Sequence, residues 1–235
     1  QPVVDAKTGM IASAEALIRW NHPEKGMISP GIFIPALEES GQISELSFYV
    51  VKQVKELIRA RLLCGKKTVP VSINLSWMDF YDETMINGII EQLQTGEIPR
   101  GMIRFEVTET SYAALEENRL GVLNAIRKEG AKILLDDFGS GYSSLSSLNV
   151  MHFDTIKLDK SLIDYIGDRN GEKLLLHITQ LLQSFGMTIT AEGVETSDQV
   201  EFLKNLHCDD IQGYYFSKPL PVNEFEDFVR KHTGL

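Results

Sequence analysis

Residues 132–141 read KILLDDFGSG, an aliphatic run that ends in two aspartates and a glycine-rich turn. The run predicts a β-strand over Lys132 to Asp137, because branched aliphatic residues suit a pleated sheet and glycine and serine favour turns. Neighbouring side chains on a regular strand point to opposite faces. Asp136 and Asp137 therefore reach one site only if the strand ends there, and the turn supplies that ending. A pair of aspartates that only caps the turn is the alternative.

The same pattern extends outward along the chain, where short β-rich runs alternate aliphatic with polar residues. In the run from Met102 to Val107, for example, Glu106 lies on the face opposite to the aliphatic side chains. The aliphatic face is expected to pack against an outer layer of helices, which leaves the polar face directed inward. The other predicted strands are Val69 to Leu75, Thr155 to Asp159, Thr188 to Gly193, Ile11 to Trp20 and the opening residues Pro2 to Val4.

Five of these runs carry an inward polar residue at their C-terminal end. In a (β/α)8 barrel such residues converge at one mouth, where the active site lies, whereas an open doubly wound sheet spreads them along an edge. The pattern therefore favours the barrel. The converging residues are Asn74, Glu106, Asp136, Lys157 and Glu192, with Glu15 on an earlier candidate strand and Gln212 on a late one.

Helical segments alternate with the strands, as parallel strands joined by crossovers require. Apolar residues recur at helical spacing within 43–58, 86–93 and 174–185, and Ser29-Pro30 is typical of a helix start. No linker rich in proline, glycine or serine divides the chain. We therefore expect one domain over residues 1–235, and since Gln1 leads straight into a strand, we expect it to be a piece of a longer polypeptide.

Composition excludes several classes of function. The 235 residues carry a formal charge of −10, and an acidic surface argues against binding to duplex nucleic acid. No apolar run approaches the length of a membrane span. Cys64 and Cys208 lie far apart, and in a chain of this size they are expected to be buried thiols in a reducing compartment.

The converging acids predict a site for hard divalent cations. Carboxylates that meet in one place repel, so they take up protons unless cations neutralise them. Oxygen ligands suit Mg²⁺ or Mn²⁺, and the scattered histidines do not form a zinc pattern. Asp136 bridging two cations, with Asp137 on the second, is a plausible two-metal arrangement for in-line displacement at phosphorus. The dinucleotide fingerprint, the P-loop and the GxSxG motif are all incomplete, so covalent catalysis is the weaker hypothesis.

Seven segments, in order along nearly the whole chain, resemble the signatures of EAL-domain cyclic di-GMP phosphodiesterases. The departures are minor, such as Trp77 to Phe80 after the second segment, and none removes a matched ligand. The segments are Glu15 to Pro23, Ser72 to Ser76, Glu106 to Thr110, Asp136 to Ser144, Ile156 to Asp159, Ala191 to Thr196 and Gln212 to Leu220.

The resemblance implies a modified (β/α)8 barrel in which one strand is antiparallel to the others. It also implies hydrolysis of cyclic di-GMP to linear pGpG by water activated at two Mg²⁺ or Mn²⁺ ions. Lys157 would position the attacking water, and Glu192 is the candidate general base, with Glu15 also in the catalytic set. Glu15, Asn74, Glu106 and Asp136 would bind the first ion, and Asp136, Asp137 and Glu192 the second.

Further roles and partners follow from the same resemblance. Leu17 and Arg19 would contact the dinucleotide, Gln212 would form hydrogen bonds in the site, and Gln1 would contact a guanine. Glu195 would support the site, and Glu109 would steady the loop that begins at Asp137 and leads to a homodimer interface. The parent would be a cytoplasmic or membrane-tethered bacterial protein with a fused regulatory or GGDEF-type domain.

Three functional hypotheses stay open at this point. The complete ligand set favours a metal-dependent phosphodiesterase. The alternative is a catalytically weak or inactive receptor for cyclic di-GMP that acts through a partner domain. A different Mg²⁺-dependent barrel enzyme is the third and requires the run of motifs to be coincidental.

Overall fold

The structure, a computed structural model, describes residues 1–113, 115, 117–140 and 153–233. Eight strands close into a barrel in the order β1-β10-β9-β8-β7-β6-β5-β2, and β3 and β4 form a separate hairpin. The predicted barrel is thus confirmed. The strands are β1 (Pro2–Asp5), β2 (Ile11–Ala16), β3 (Trp20–His22), β4 (Gly26–Ile28), β5 (Val71–Asn74), β6 (Ile103–Thr108), β7 (Lys132–Phe138), β8 (Thr155–Leu158), β9 (Thr188–Ala191) and β10 (Asp210–Ile211).

Helices cover the outside of this barrel, and none of those described has both the length and the apolar character needed to cross a bilayer. The segments predicted from helical spacing fall in α2, α3 and α7. The described helices are α1 (Pro30–Glu39), α2 (Ile43–Leu63), a 3₁₀ helix (Trp77–Tyr81), α3 (Glu83–Gln94), α4 (Glu109–Ala113), α5 (Glu117–Lys128), α6 (Lys160–Ile163), α7 (Arg169–Ser184), α8 (Ser197–Asn205) and α9 (Val222–His232).

The strand β1 runs opposite to the rest of the barrel. It pairs antiparallel with both of its neighbours, β10 and β2, whereas the remaining neighbours pair parallel. The antiparallel strand implied by the resemblance is therefore present. Because β1 is reversed, its first residues lie beside the C-terminal end of β2, so that Gln1 is brought to the mouth of the barrel.

The aliphatic face of each strand packs outward, as the alternation predicts. On β6, Ile103, Phe105 and Val107 are completely buried in one apolar core with helical residues such as Ile89 and Leu123. The opposite face points into the barrel and is polar. Its buried side chains include Ser72, Glu106, Lys157 and Thr190.

A bulge, and not the end of a strand, lets both aspartates of the KILLDDFGSG stretch reach the mouth. β7 continues through Phe138, and its register with β8 shifts between Leu135 and Phe138. Asp137 takes a left-handed backbone conformation with φ of 56°. Aspartate tolerates this conformation better than most residues, and the bulge turns the chain so that Asp136 and Asp137 no longer alternate. The expectation that the strand stops at Asp137 was wrong.

The helix start predicted at Ser29-Pro30 is confirmed, with Ser29 at the N-cap of α1, although its side chain makes no capping hydrogen bond. Two further expectations need correction. The run Ile11 to Trp20 is not one strand, because β2 ends at Ala16 and Trp20 begins the hairpin with β4. Cys208 is buried, whereas Cys64 is exposed because it lies directly after the last residue of α2.

We expect Gly213→Ala to destabilise the fold, because a Cβ at this position would overlap the backbone nitrogen and carbonyl of Val194. Such overpacking lowers the free energy of unfolding by ~1–3 kcal/mol. Gly121→Ala is the matched control, since a Cβ there meets nothing within 4 Å in α5. Loss of a flexible helical glycine should stabilise the protein by ~0.5–1 kcal/mol. Denaturant unfolding that ranked the two variants in the reverse order would contradict this packing.

Candidate metal-dependent active site

Lys157 stands at the centre of the barrel mouth and is surrounded by acids. Its Nζ lies 2.7 Å from Glu106 Oε2, 2.8 Å from Glu192 Oε1 and 3.1 Å from Asp136 Oδ1, and Glu15 Oε2 is 3.4 Å away. The side chain is 2% exposed. Although burial lowers the pKa of this ammonium, the surrounding carboxylates raise it well above its usual range. Lys157 is therefore protonated and links four acids.

Glu15 is held in its ionised form by amides as well as by Lys157. Gln212 Nε2 donates to Glu15 Oε2 at 2.7 Å, and Asn74 Nδ2 donates to Glu15 Oε1 at 2.8 Å. Burial alone would raise the pKa of Glu15, but the ammonium and the two amides lower it to about 2. Glu15 thus presents a fixed negative charge between Asn74, the last residue of β5, and Gln212, the residue after β10.

Asp136, Asp137 and Glu192 form a second group of acids beside Glu15. One carboxylate oxygen from each lies within 4.8 Å of the other two. Burial and then the charge of Asp136 raise the pKa of Asp137 to about 6. Burial raises the pKa of Glu192 to about 8, against the opposing effect of Lys157. Asp137 and Glu192 therefore hold a proton more readily than ordinary carboxylates do, and a cation that binds to them would displace that proton.

Acids outnumber cations at the mouth. The five carboxylates of Glu15, Glu106, Asp136, Asp137 and Glu192 face one lysine ammonium and the terminal ammonium of Gln1. Burial and the neighbouring Glu15 raise the pKa of Glu106 well above its usual range. Protons or divalent cations must offset the excess negative charge. The donors are carboxylate and amide oxygens, which fit Mg²⁺ or Mn²⁺ and do not suit a soft metal.

An apolar groove of about 850 Å³ leads away from Glu15 along the side of the barrel. Arg19, at its edge, is exposed, and its guanidinium reaches only the carbonyl of the adjacent Ile18, at 2.9 Å. The groove has space for a ligand with apolar faces that also carries negative charge. Its lining includes Gln1, Glu15, Leu17, Arg19, Tyr49, Val54 and Pro219.

Gln1 and Gln212 connect this groove to the central acids. Gln212 Nε2 lies 3.2 Å from Gln1 Oε1, and Gln1 Nε2 donates to the carbonyl of Ser217 at 2.9 Å. Gln212 Oε1 is buried and has no hydrogen-bond partner among the described residues. Gln212 therefore offers an acceptor at the mouth.

Glu195 and Glu109 lie outside the central cluster of acids. Glu195 is exposed and pairs with Lys160 on α6 at 3.2 Å. Glu109 is the buried first residue of α4, directly after β6. The expected motif residues Gly141 to Ser144 lie outside the described residues.

Two features of the site were not predicted from the sequence. The groove wall on α2, with Tyr49 and Val54, has no motif, and only the assembled fold brings it beside β2. Gln199 was also missed, although its Oε1 accepts from the backbone nitrogens of Glu195 and Thr196 at 2.8 and 3.1 Å. The Thr196-x-x-Gln199 spacing is a capping box, which is a readable sequence signal.

Comparisons with known proteins agree with this architecture. The model of the EAL domain family matches residues 1–219. The cyclic di-GMP phosphodiesterase NbdA of Pseudomonas aeruginosa is 31% identical over 233 residues, which cover 99% of this chain and 30% of NbdA. The probable cyclic di-GMP phosphodiesterase PdeG of Escherichia coli is 34% identical over 94% of this chain and 44% of its own length. The chain thus spans less than half of either relative.

A solved structure extends the similarity to three dimensions. The MucR phosphodiesterase in complex with c-di-GMP superposes with a TM-score of 0.87 at 31% identity, over 96% of this chain and 92% of that one. MucR is a protein of Pseudomonas aeruginosa.

We expect Mg²⁺ to raise the melting temperature more at pH 8 than at pH 6. In the metal-free chain the pKa of Glu192 is about 8 against an ordinary 4.5. Folding therefore takes up a proton between these values, and the free energy of unfolding falls as the pH rises through them. At pH 8 a larger fraction of the Glu192 carboxyls than at pH 6 has already lost that proton, so the cation displaces it less often. A cation at 100 times its Kd contributes about 2.7 kcal/mol to the free energy of unfolding.

Thermal unfolding with and without saturating Mg²⁺ at the two pH values measures this effect. Glu192→Gln is the control, because a carboxamide does not titrate and the difference between the pH values should shrink. A cation site at these acids would be contradicted if Mg²⁺ did not raise the melting temperature of the unmodified chain, or if it raised the melting temperature equally at both pH values.

Proposed function

Because this chain belongs to the EAL domain family, we propose that it is a metal-dependent phosphodiesterase that hydrolyses cyclic di-GMP to linear pGpG. The observation that carries the proposal is the convergence of five carboxylates and Asn74 around one buried lysine. A receptor that only binds the nucleotide has no need of this set of oxygen ligands, which is costly to bring together.

The ligands divide between two cation positions. In the proposal, Glu15, Asn74, Glu106 and Asp136 hold one ion of Mg²⁺ or Mn²⁺. Asp136, Asp137 and Glu192 hold the other, consistent with the mutual approach of their oxygens to within 4.8 Å. Divalent cations bound in this way polarise phosphoryl oxygens and lower the pKa of water.

In this proposal, Lys157 stabilises the developing negative charge and Glu192 accepts a proton. Lys157 keeps its proton at neutral pH, so its ammonium donates toward the attacking water and stabilises the charge that develops on the phosphate. Glu192 is the proposed general base: bound cations would displace the proton that its raised pKa retains in the metal-free chain, and the freed carboxylate would accept the water's proton. Glu15 remains ionised and holds Asn74 and Gln212 in place.

The groove provides the binding site for the dinucleotide in this proposal. Arg19 presents a planar guanidinium that matches two phosphate oxygens. Leu17 supplies an apolar wall for a guanine face, and Gln1 and Gln212 supply amide groups for its polar edge. Glu195 is proposed to support the site from the segment after β9, and Glu109 is proposed to steady the segment that begins at Asp137.

The wider setting is also a proposal. We assign residues 1–235 to a single catalytic domain of a larger bacterial signalling protein in the cytoplasm or tethered to a membrane. The matched relatives are more than twice as long as this chain, and MucR is named as a bifunctional diguanylate cyclase and phosphodiesterase. A fused regulatory or GGDEF-type domain and a homodimer are expected in this setting.

Incubation with cyclic di-GMP and Mg²⁺, followed by chromatography of the products, tests the activity directly. Linear pGpG is expected with Mg²⁺ and little or none with Ca²⁺, which favours larger and more flexible coordination. Nucleotide binding without any product would replace the enzyme with a receptor.

Glu106→Gln is expected to lower kcat/KM for this hydrolysis by at least about 100-fold. Loss of groups that only support metal ligands already costs ~10–100-fold, and Glu106 is proposed as a ligand itself. The carboxamide keeps the size of the side chain, so folding should be retained. Glu201→Gln on the exposed side of α8 is the matched control and should retain wild-type turnover. Wild-type turnover by the Glu106 variant would remove this residue from the site.

A further inference from the structure

Asp79 is a fully buried carboxylate in the 3₁₀ helix that follows β5. Its exposed fraction is 0%. No ion pair with a lysine or arginine is recorded for it in the described part of the chain, and burial raises the pKa of its carboxyl. A buried charge without a counter-charge is costly unless hydrogen bonds satisfy it, so the contacts of Asp79 explain why it is tolerated.

The two oxygens of Asp79 join two separate elements. Oδ2 accepts from the backbone nitrogen of Ser76 at 2.9 Å. Oδ1 accepts from Ser44 Oγ in the first turn of α2 at 2.8 Å. The Ser47 hydroxyl, one turn later, also lowers the pKa of this carboxyl. Asp79 therefore ties the start of α2 to the turn directly beyond Asn74.

The segment between Asn74 and Asp79 is fixed at further points. The backbone nitrogen of Leu75 donates to the carbonyl of Glu106 at 2.9 Å. Ser76 Oγ donates to Glu38 Oε1 on α1 at 2.7 Å. The backbone that carries Asn74 is thus held by β6 on one side and by α1 and α2 on the other.

We propose that Asp79 is a positioning residue for Asn74. By fixing Ser76 against α2, it sets the direction in which the Asn74 side chain leaves the end of β5, and so the placement of its amide oxygen. The inference rests on the proposed function, in which that oxygen binds a cation. Nearby Asp82 caps α3 through Met85 at 2.9 Å and makes no such link, which shows that capping alone does not require burial.

The test compares Mn²⁺ binding in five forms of the whole chain, the unmodified one and four variants, measured from the electron paramagnetic resonance signal of free Mn²⁺. Asp79→Ala is expected to weaken Mn²⁺ binding ~10-fold, as for other groups that orient metal ligands. Asp79→Asn should restore most of the affinity, because its oxygen can face Ser76 and its amide can donate to Ser44. Asp82→Ala should lower the melting temperature through its lost cap but leave the Mn²⁺ affinity unchanged.

Ser44→Ala removes one hydrogen-bond donor to Asp79 from α2 and keeps the contact of Asp79 with Ser76. It replaces Asp79→Ala in the comparison if that variant does not fold. It should weaken Mn²⁺ binding ~3-fold, less than loss of the carboxylate. Unchanged affinity in Ser44→Ala and Asp79→Ala, or an equal loss in Asp82→Ala, would overturn the role of Asp79 while leaving the proposed function intact. Absence of Mn²⁺ binding by the unmodified chain would overturn both.

Discussion

The ion cluster around Lys157 is the interaction on which the rest of the mouth depends. An ammonium buried this deeply is stable only with well-placed counter-charges, and here they come from β2, β6, β7 and the residue after β9. The lysine therefore holds strand ends together that would otherwise repel one another. The same arrangement makes the site responsive to cations. In the proposed function, Asp136 and Glu192 would hold a cation, which would leave an N–H of Lys157 free to donate to a water or a phosphate, so one cluster would serve both the fold and the chemistry.

Two departures from a regular parallel barrel bring the remaining groups to this cluster. The reversal of β1 places Gln1, its leading residue, beside Glu15 and Gln212. The bulge at Asp137 turns a second carboxylate toward Asp136 and Glu192. An ideal strand would direct Asp137 to the outer apolar layer. The bulge thus increases the density of acids at the mouth, and cations or protons must offset the added charge, whereas the reversal of β1 adds a neutral amide side chain.

Much of this could be predicted from the sequence, because alternation along a strand is a local property. The alternation of aliphatic and polar residues predicted that Glu106 and Lys157 face inward and that Ile103 and Phe105 face the helices. The reversal of β1 came only from the resemblance, since periodicity carries no strand direction. The bulge at Asp137, the hairpin that begins at Trp20 and the burial of Asp79 depend on contacts between distant segments. Cys64 was misjudged because a typical burial preference does not account for a position just past the end of a helix.

The central claim is that the acids around Lys157 bind two divalent cations. Anomalous diffraction from crystals soaked in Mn²⁺ and cyclic di-GMP tests it most directly. Two anomalous peaks are predicted, about 3.5–4 Å apart as in other two-metal sites. One should lie beside Glu15, Asn74 and Glu106 and the other beside Asp137 and Glu192, with Asp136 between them. If no anomalous peak appeared at the acid cluster and Lys157 kept its contacts with all four carboxylates, binding of divalent cations at these acids would be contradicted.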